Sequence, residues 1–151
     1  MLQRCAVIGR TIDYTVLEQI SDDATNLDIP LGQLIALDMI ETKHSPSGQF
    51  EYVFGHIVTH NIAYSMVPVL ARRNLHTKIG DSISLKHAKN PERVLEQLAH
   101  HYHQGNNKSK AITHLAKAGK KAKQQYNHQV ALKLYAQGLE HLGEPLSLIH
   151  I

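Results

Sequence analysis

The chain has 151 residues, which is enough for one ordinary domain or two small ones. Its 16 lysines and arginines only slightly outnumber its 13 acidic residues, and the charges are interspersed, so no block of one sign is present. The single cysteine, Cys5, excludes a disulfide framework and a cysteine-based zinc site and fits a reducing cytoplasm. Because no apolar run approaches the roughly 18–20 residues of a membrane span, we predict a cytoplasmic protein without membrane partners.

Residues 1–55 predict a winged-helix-like module, in which three compact helices precede a small β-hairpin. Gly9 closes the first helix, Thr11 or Asp13 caps the second, and Asp28 and Pro30 start the third. A turn at 45–48 separates β-prone segments at 39–43 and 50–54. The apolar positions are Leu2 to Ile8 in the first helix, Val16, Leu17 and Ile20 in the second, and Leu31, Leu34, Ile35 and Leu37 in the third.

From His56 onward the sequence predicts helices. Residues 56–88 are connecting helices, the first over 57–66 and the second from Pro68 to about Ser82. Residues 89–145 predict a tetratricopeptide-like array with helices at about 90–103, 107–124 and 128–142, in which small residues allow close crossings and tyrosines fill the grooves beside them. The matching positions are Ala99, Tyr102, Ala111, Leu115 and Ala118 in one register, and Gly119, Ala122, Ala131, Tyr135 and Gly138 in a second.

The last six residues are a separate feature. Residues 146–151, LSLIHI, resemble the translated read-through of an adapter used in DNA library preparation. Such scars are excluded from fold reasoning. We therefore expect an artefactual tail here and a natural segment that ends near Pro145.

Three stretches carry a resemblance to a known family: GRTIDYTVLEQI, QFEYVFGHIVTHNIAYSMVPVLARRNLH and QLAHHYHQGNNKSKAITHLAKAG. They resemble the winged-helix and tetratricopeptide-repeat region that follows the ATPase core of bacterial AAA/STAND-type signalling ATPases. That region occurs in adenylate/guanylate cyclase-like, kinase-linked and large LuxR-type proteins. The resemblance covers Leu2 to about Leu142. It implies a fragment of a larger protein whose upstream core binds ADP or ATP and whose repeats bind a protein or peptide ligand.

The resemblance also gives His56 a role in nucleotide binding. In that family a winged-helix histidine, followed by an apolar-rich helix, reaches the β-phosphate of bound ADP and holds the off state. The spacing from His56 to Val58, Ile62 and Ala63 matches this pattern, with Ile57 where some branches carry an acidic residue. An imidazole at a helix start can donate to a phosphate oxygen, and the exposed N–H groups there favour an anion. The competing interpretation is that His56 is a half-buried cap of its helix.

Catalytic and metal-binding chemistry find little support in the sequence. The chain has no P-loop, no serine nucleophile elbow and no His-Glu-x-x-His helix, so we predict that it is not an enzyme and has no cofactor of its own. His56 and His60 are spaced i, i+4, and His100, His101 and His103 crowd together. A zinc site needs a third ligand with second-shell support, however, and we expect His101 to face away from its neighbours. We therefore predict no metal site.

Two charged segments bear on the choice of binding partner, and we interpret the first as part of a packing module and the second as a solvated helix face. The predicted third helix, Asp28–Met39, has two aspartates and no basic residue, which disfavours DNA binding by a winged helix. A basic run could meet an acidic partner or a phosphate-rich surface, but it is more typical of the exposed face of an amphipathic helix. Its members are Lys117, Lys120, Lys121 and Lys123.

The sequence therefore leaves three functional hypotheses. The leading one is a non-catalytic regulatory and interaction segment of a nucleotide-switched STAND/AAA ATPase. The alternative is a free-standing tetratricopeptide interaction module, whose winged part never touches nucleotide. The third, which is disfavoured by the acidic helix, is a DNA-binding transcription regulator.

Overall fold

The computed structural model describes residues 1–22, 26–46, 48 and 50–149, with the backbone alone for residues 144–149. The described part is mainly helical with one small antiparallel sheet, which confirms the predicted fold class at that level. The helices are α1 Leu2–Ile8, α2 Tyr14–Ile20, α3 Asp28–Ala36, α4 Ile57–Ser65, α5 Val69–Lys86, α6 Leu95–Gln104, α7 Lys108–Gln124 and α8 His128–Ile149. The strands are β1 Thr11–Ile12, β2 Ile40–His44 and β3 Phe50–Phe54. The chain divides into two compact units, Met1–Leu75 and His76–Ile151.

The first unit contains the three-stranded sheet, whose order is β1-β3-β2. The predicted hairpin is present, with Ile40 opposite Phe54 in antiparallel register. The sequence did not predict β1, because two residues are too few to show the alternation of a strand. Asp13 caps α2 as predicted, since its carboxylate accepts hydrogen bonds from the backbone N–H groups of Thr15 at 2.8 Å and Val16 at 3.2 Å.

The apolar core of the first unit lies among α1, α2 and the sheet. Val16, Leu17 and Ile20 are buried as predicted. Of the apolar stripe predicted on α3, only Leu31 is buried, whereas Leu37 is 65% exposed. Because α3 is only nine residues long, few of its side chains can reach the core, and its packing against the sheet is with β2. The predicted polar turn at 22–26 and the turn at 45–48 each include residues outside the described ranges.

The second unit is a helical array in which α6 packs on α7 and α7 packs on α8. Residues Pro91–Val94 form a 3-10 turn before α6, and Gly105 follows its last residue. The start of α7 is capped by Asn107, whose side chain accepts a hydrogen bond from the N–H of Lys110 at 3.0 Å. These boundaries lie close to the predicted ones.

Helix α8 is longer than the sequence predicts. It extends to Ile149 and so enters the segment interpreted as an adapter tail, whose last two residues lie outside the described ranges. Pro145 has no backbone N–H to donate to the helix, but α8 continues past it. In the described part of the chain, no helix combines the length and apolar character needed to cross a bilayer.

Candidate functional site

His56 lies immediately before α4 in the first unit, where its backbone is extended with φ −132° and ψ 131°. His56 is the N-cap residue of α4, but within the described part of the chain its side chain makes no capping hydrogen bond and is largely exposed, so the expectation that it is half-buried is wrong. Its Nε2 lies 4.0 Å from the carboxylate of Asp38, and both side chains are largely exposed, so this contact contributes little. The imidazole is therefore accessible to a ligand at the start of the helix.

An exposed apolar surface continues from His56 along α4. Val58, Ile62 and Met66 recur every four residues and are 62%, 55% and 64% exposed. Of the apolar residues predicted on one side of this helix, only Ala63 is buried. We call Val58, Ile62 and Met66 the α4 ridge. Ile57, Val69 and Leu70 are further exposed apolar residues of the same part of the chain.

His60 occupies the opposite, packed side of α4. Its Nε2 is 2.8 Å from the carbonyl oxygen of Ala6, to which it donates a hydrogen bond. Its ring packs edge-on against Phe54 and stacks on Tyr64, at centroid distances of 5.2 and 6.1 Å. His60 therefore holds α4 against α1 and β3, while His56 faces outward.

The second unit brings His76 together with His100 and His101, two of the three histidines that crowd together in the sequence. His76 on α5 and His101 on α6 are 1% and 4% exposed, and their Nδ1 atoms are 3.0 Å apart. His100 lies at the exposed edge, with ring centroids 5.8 Å from His76 and 5.0 Å from His101. One nitrogen from each ring lies within 4.8 Å of the others. The expectation that His101 faces away from its neighbours is therefore wrong, because its side chain turns into the α5–α6 packing.

Electrostatics favour a neutral ring at the edge of this cluster. Partial burial lowers the pKa of His100, and the nearby charges of His103 and Lys133 lower it further. His103 and His141 form a separate histidine pair, in which His103 Nδ1 is 2.9 Å from His141 Nε2. Burial, with His103 as the next cause, also lowers the pKa of His141. Uncharged imidazoles keep the lone pair that binds a metal or accepts a proton.

Tyr102 acts as a groove filler, as predicted. Its ring lies so close to Gly80 that a Cβ there would be 2.8 Å from the ring Cε1. Its hydroxyl donates to Asp81 at 2.7 Å, and Lys110 Nζ is 2.6 Å from the same carboxylate oxygen. Burial, followed by the hydrogen bond to Asp81, raises the pKa of Tyr102 above its ordinary value. The ring of Tyr135 likewise lies close to Gly119, where a Cβ would be 2.9 Å from its Cε1.

Part of the predicted basic run lines a groove with a volume of about 580 Å³, which we call the lysine groove. Leu95 and Leu98 are among its apolar lining, and Lys117, Lys120 and Lys121 contribute its positive charge. Lys121 is engaged with Glu96 at 3.2 Å, whereas Lys123 does not line the groove. The remaining lining residues are Ser84, Ala88, Pro91, Glu92, His114 and Gln124.

Comparison with known proteins does not assign these features. The chain matches no protein-family model, no curated protein and no solved structure. The resemblance to signalling ATPases therefore stays a hypothesis. The features that bear on function are the α4 ridge, the histidines and the lysine groove.

Proposed function

We propose that this chain is a non-catalytic regulatory and interaction module of a larger nucleotide-switched AAA/STAND-type ATPase. The α4 ridge is the observation that carries this proposal. A run of exposed valine, isoleucine and methionine next to an exposed histidine is typical of a surface that another protein domain covers. In this interpretation the first unit is the winged-helix-like module, with the β2–β3 hairpin as its wing. The second unit is the tetratricopeptide-like array.

The ridge and His56 would contribute differently to docking. Full burial of an aliphatic side chain such as Val58 or Ile62 contributes about 1.5–3 kcal/mol relative to exposure, so the ridge would supply most of the affinity. His56 would supply sensitivity to the nucleotide, because its N–H can donate to a phosphate oxygen beside the N–H groups at the start of α4. Docking through both would favour the ADP-bound, inactive state of the core. A ligand on the helical array would shift the population towards the active state.

The test is nucleotide retention and basal ATPase activity in the full-length parent. His56→Ala should weaken ADP retention, and the pair Val58→Asp and Ile62→Asp should weaken it and raise basal activity. Ile29→Asp is a matched control, since Ile29 is a comparably exposed apolar residue of the same unit outside the ridge. Unchanged ADP affinity and basal activity in both sets of variants would contradict the proposal.

The lysine groove favours the alternative function, a free-standing interaction module. Its apolar lining and the ammonium groups of Lys117 and Lys120, beside a Lys121 that is paired with Glu96, fit a peptide segment that carries a large apolar side chain among aspartates and glutamates. Peptides selected on the intact chain from a random display library should therefore be acidic and should bind less tightly as salt increases. Combined Lys117→Glu and Lys120→Glu should weaken them about tenfold or more, whereas Lys123→Glu, on the same helix outside the groove, should not.

The two functions make different predictions about the gene. A P-loop encoded upstream in the same reading frame supports the regulatory module and contradicts the free-standing one. An upstream region without such a motif supports the reverse. The groove can serve either protein, whereas the role of His56 requires a nucleotide-binding core.

A further inference from the structure

We propose that His76, His100 and His101 form a binding site for a divalent transition-metal ion, with Zn²⁺ as the best match. Three imidazole nitrogens, one from each residue, converge within 4.8 Å in the second unit. Two adjacent helices contribute them, since His76 lies on α5 and the other two lie on α6. This goes beyond the proposed regulatory function and does not depend on it.

The spacing of the nitrogens is close to that of a metal site. At Zn–N distances of about 2.0–2.1 Å, tetrahedral ligands lie about 3.3 Å from one another. The Nδ1 atoms of His76 and His101 are already 3.0 Å apart. The widest separation in the group exceeds the tetrahedral spacing by about 1.5 Å, which rotation of the exposed His100 ring can take up.

The contact between His76 and His101 suits replacement of a proton by a metal ion. Two Nδ1 atoms at 3.0 Å form a hydrogen bond only if one carries a hydrogen and the other is bare. A cation between the rings would accept a lone pair from both and release that hydrogen. His100 closes the group on the solvent side, where its ring is exposed.

The donor atoms indicate the class of metal. Imidazole nitrogen suits Zn²⁺, Cu²⁺, Ni²⁺ and Co²⁺, whereas Mg²⁺ and Ca²⁺ prefer oxygen ligands. Three protein ligands leave a fourth position, which water can occupy at the exposed edge beside His100. A bound ion would tie α5 to α6 and thereby stabilise the second unit.

The experiment uses the full chain without a histidine tag, stripped with a chelator and titrated with Zn²⁺ by calorimetry. Co²⁺ titration followed by visible absorption reports the coordination directly. We expect one Zn²⁺ per chain, a rise in Tm on binding and the d–d bands of a nitrogen-rich tetrahedral Co²⁺ site. His100→Ala should weaken binding by more than about 100-fold, because removal of a direct ligand should exceed the effect of an outer-shell change.

Two sets of variants make the result decisive. His128→Ala removes an exposed histidine of α8 outside the cluster and should leave Zn²⁺ affinity unchanged. His103→Ala and His141→Ala test the neighbouring pair. Because His100 lies at the edge, its alanine variant is expected to fold, which circular dichroism checks. Undiminished binding in His100→Ala, or binding lost only in His103→Ala or His141→Ala, would overturn the proposal.

Discussion

Replacing Gly80 with alanine should destabilise the second unit, although alanine normally favours a helix. The new Cβ would lie 2.8 Å from Cε1 and 2.9 Å from Cζ of Tyr102, inside the repulsive range of carbon contacts. The tyrosine ring cannot retreat easily. It is 2% exposed, its hydroxyl is bonded to Asp81, and its ring centroid is 4.7 Å from that of His114.

The size of the effect follows from three contributions. Alanine stabilises a helix interior by about 1 kcal/mol relative to glycine. Overpacking of a core costs about 1–3 kcal/mol, and displacement of the Tyr102 hydroxyl from Asp81 costs about 1 kcal/mol more. The net loss is therefore about 1–3 kcal/mol. In a unit of this size, that loss lowers Tm by about 6–19 °C.

Two other glycines in the same unit provide matched comparisons. A Cβ on Gly119 would lie 2.9 Å from Tyr135 Cε1, but that ring is 38% exposed and can swing into solvent, so Gly119→Ala should be nearly neutral. A Cβ on Gly138 would meet Leu115 Cβ at an ordinary 3.8 Å, so Gly138→Ala should gain about 0.5–1 kcal/mol. Thermal and urea unfolding followed by circular dichroism gives the ranking. Equal stability of Gly80→Ala and Gly138→Ala would refute the reasoning.

Four further predictions concern single side chains. His60→Ala should lower the unfolding free energy by about 1–2 kcal/mol, because it removes the hydrogen bond that the imidazole donates to the carbonyl oxygen of Ala6. His56→Ala should change it by less than about 0.5 kcal/mol, and urea titration distinguishes the two. Burial raises the pKa of the Cys5 thiol to about 12, so a disulfide reagent at pH 8 should label the native chain slowly and the urea-unfolded chain rapidly. Because burial raises the pKa of Tyr102, the folded chain keeps a proton that the unfolded chain loses above about pH 10. The unfolding free energy should therefore fall with rising pH above that point, and less steeply in Tyr102→Phe.

Local signals predicted most of the secondary structure. Asp13 before an apolar helix and Asn107 before α7 act as caps because their side chains satisfy N–H groups only a few residues away. The β2–β3 hairpin likewise depends on a short turn between two β-prone segments. By contrast, β1 is defined by its pairing with β3, some forty residues later. No local pattern in Thr11–Ile12 could predict it.

The candidate sites depend on information that the local sequence does not contain. The apolar pattern of α4 identifies Val58 and Ile62 as neighbours, but it does not say whether that side meets the core. In the structure, the inward side carries His60 and Ala63. His76 is 24 residues before His100 in sequence, so only the packing of α5 on α6 brings the imidazoles together. The twelve histidines of the chain, and the adjacency of His100 and His101, are the signals in the sequence that point to such a cluster.

The two sides of α4 allow stability and docking to be separated experimentally. Val58, Ile62 and Met66 are more than half exposed, so polar substitutions there should change the unfolding free energy by only about 0.5 kcal/mol. A loss of ADP retention in such variants would therefore report lost docking and not lost folding. His60 provides the opposite case, since its removal weakens the attachment of α4 to α1 while leaving the ridge residues in place. In His60→Ala, the loss of ADP retention should therefore be no larger than the loss of unfolding free energy of the first unit accounts for. Variants of the ridge should impair retention at full stability.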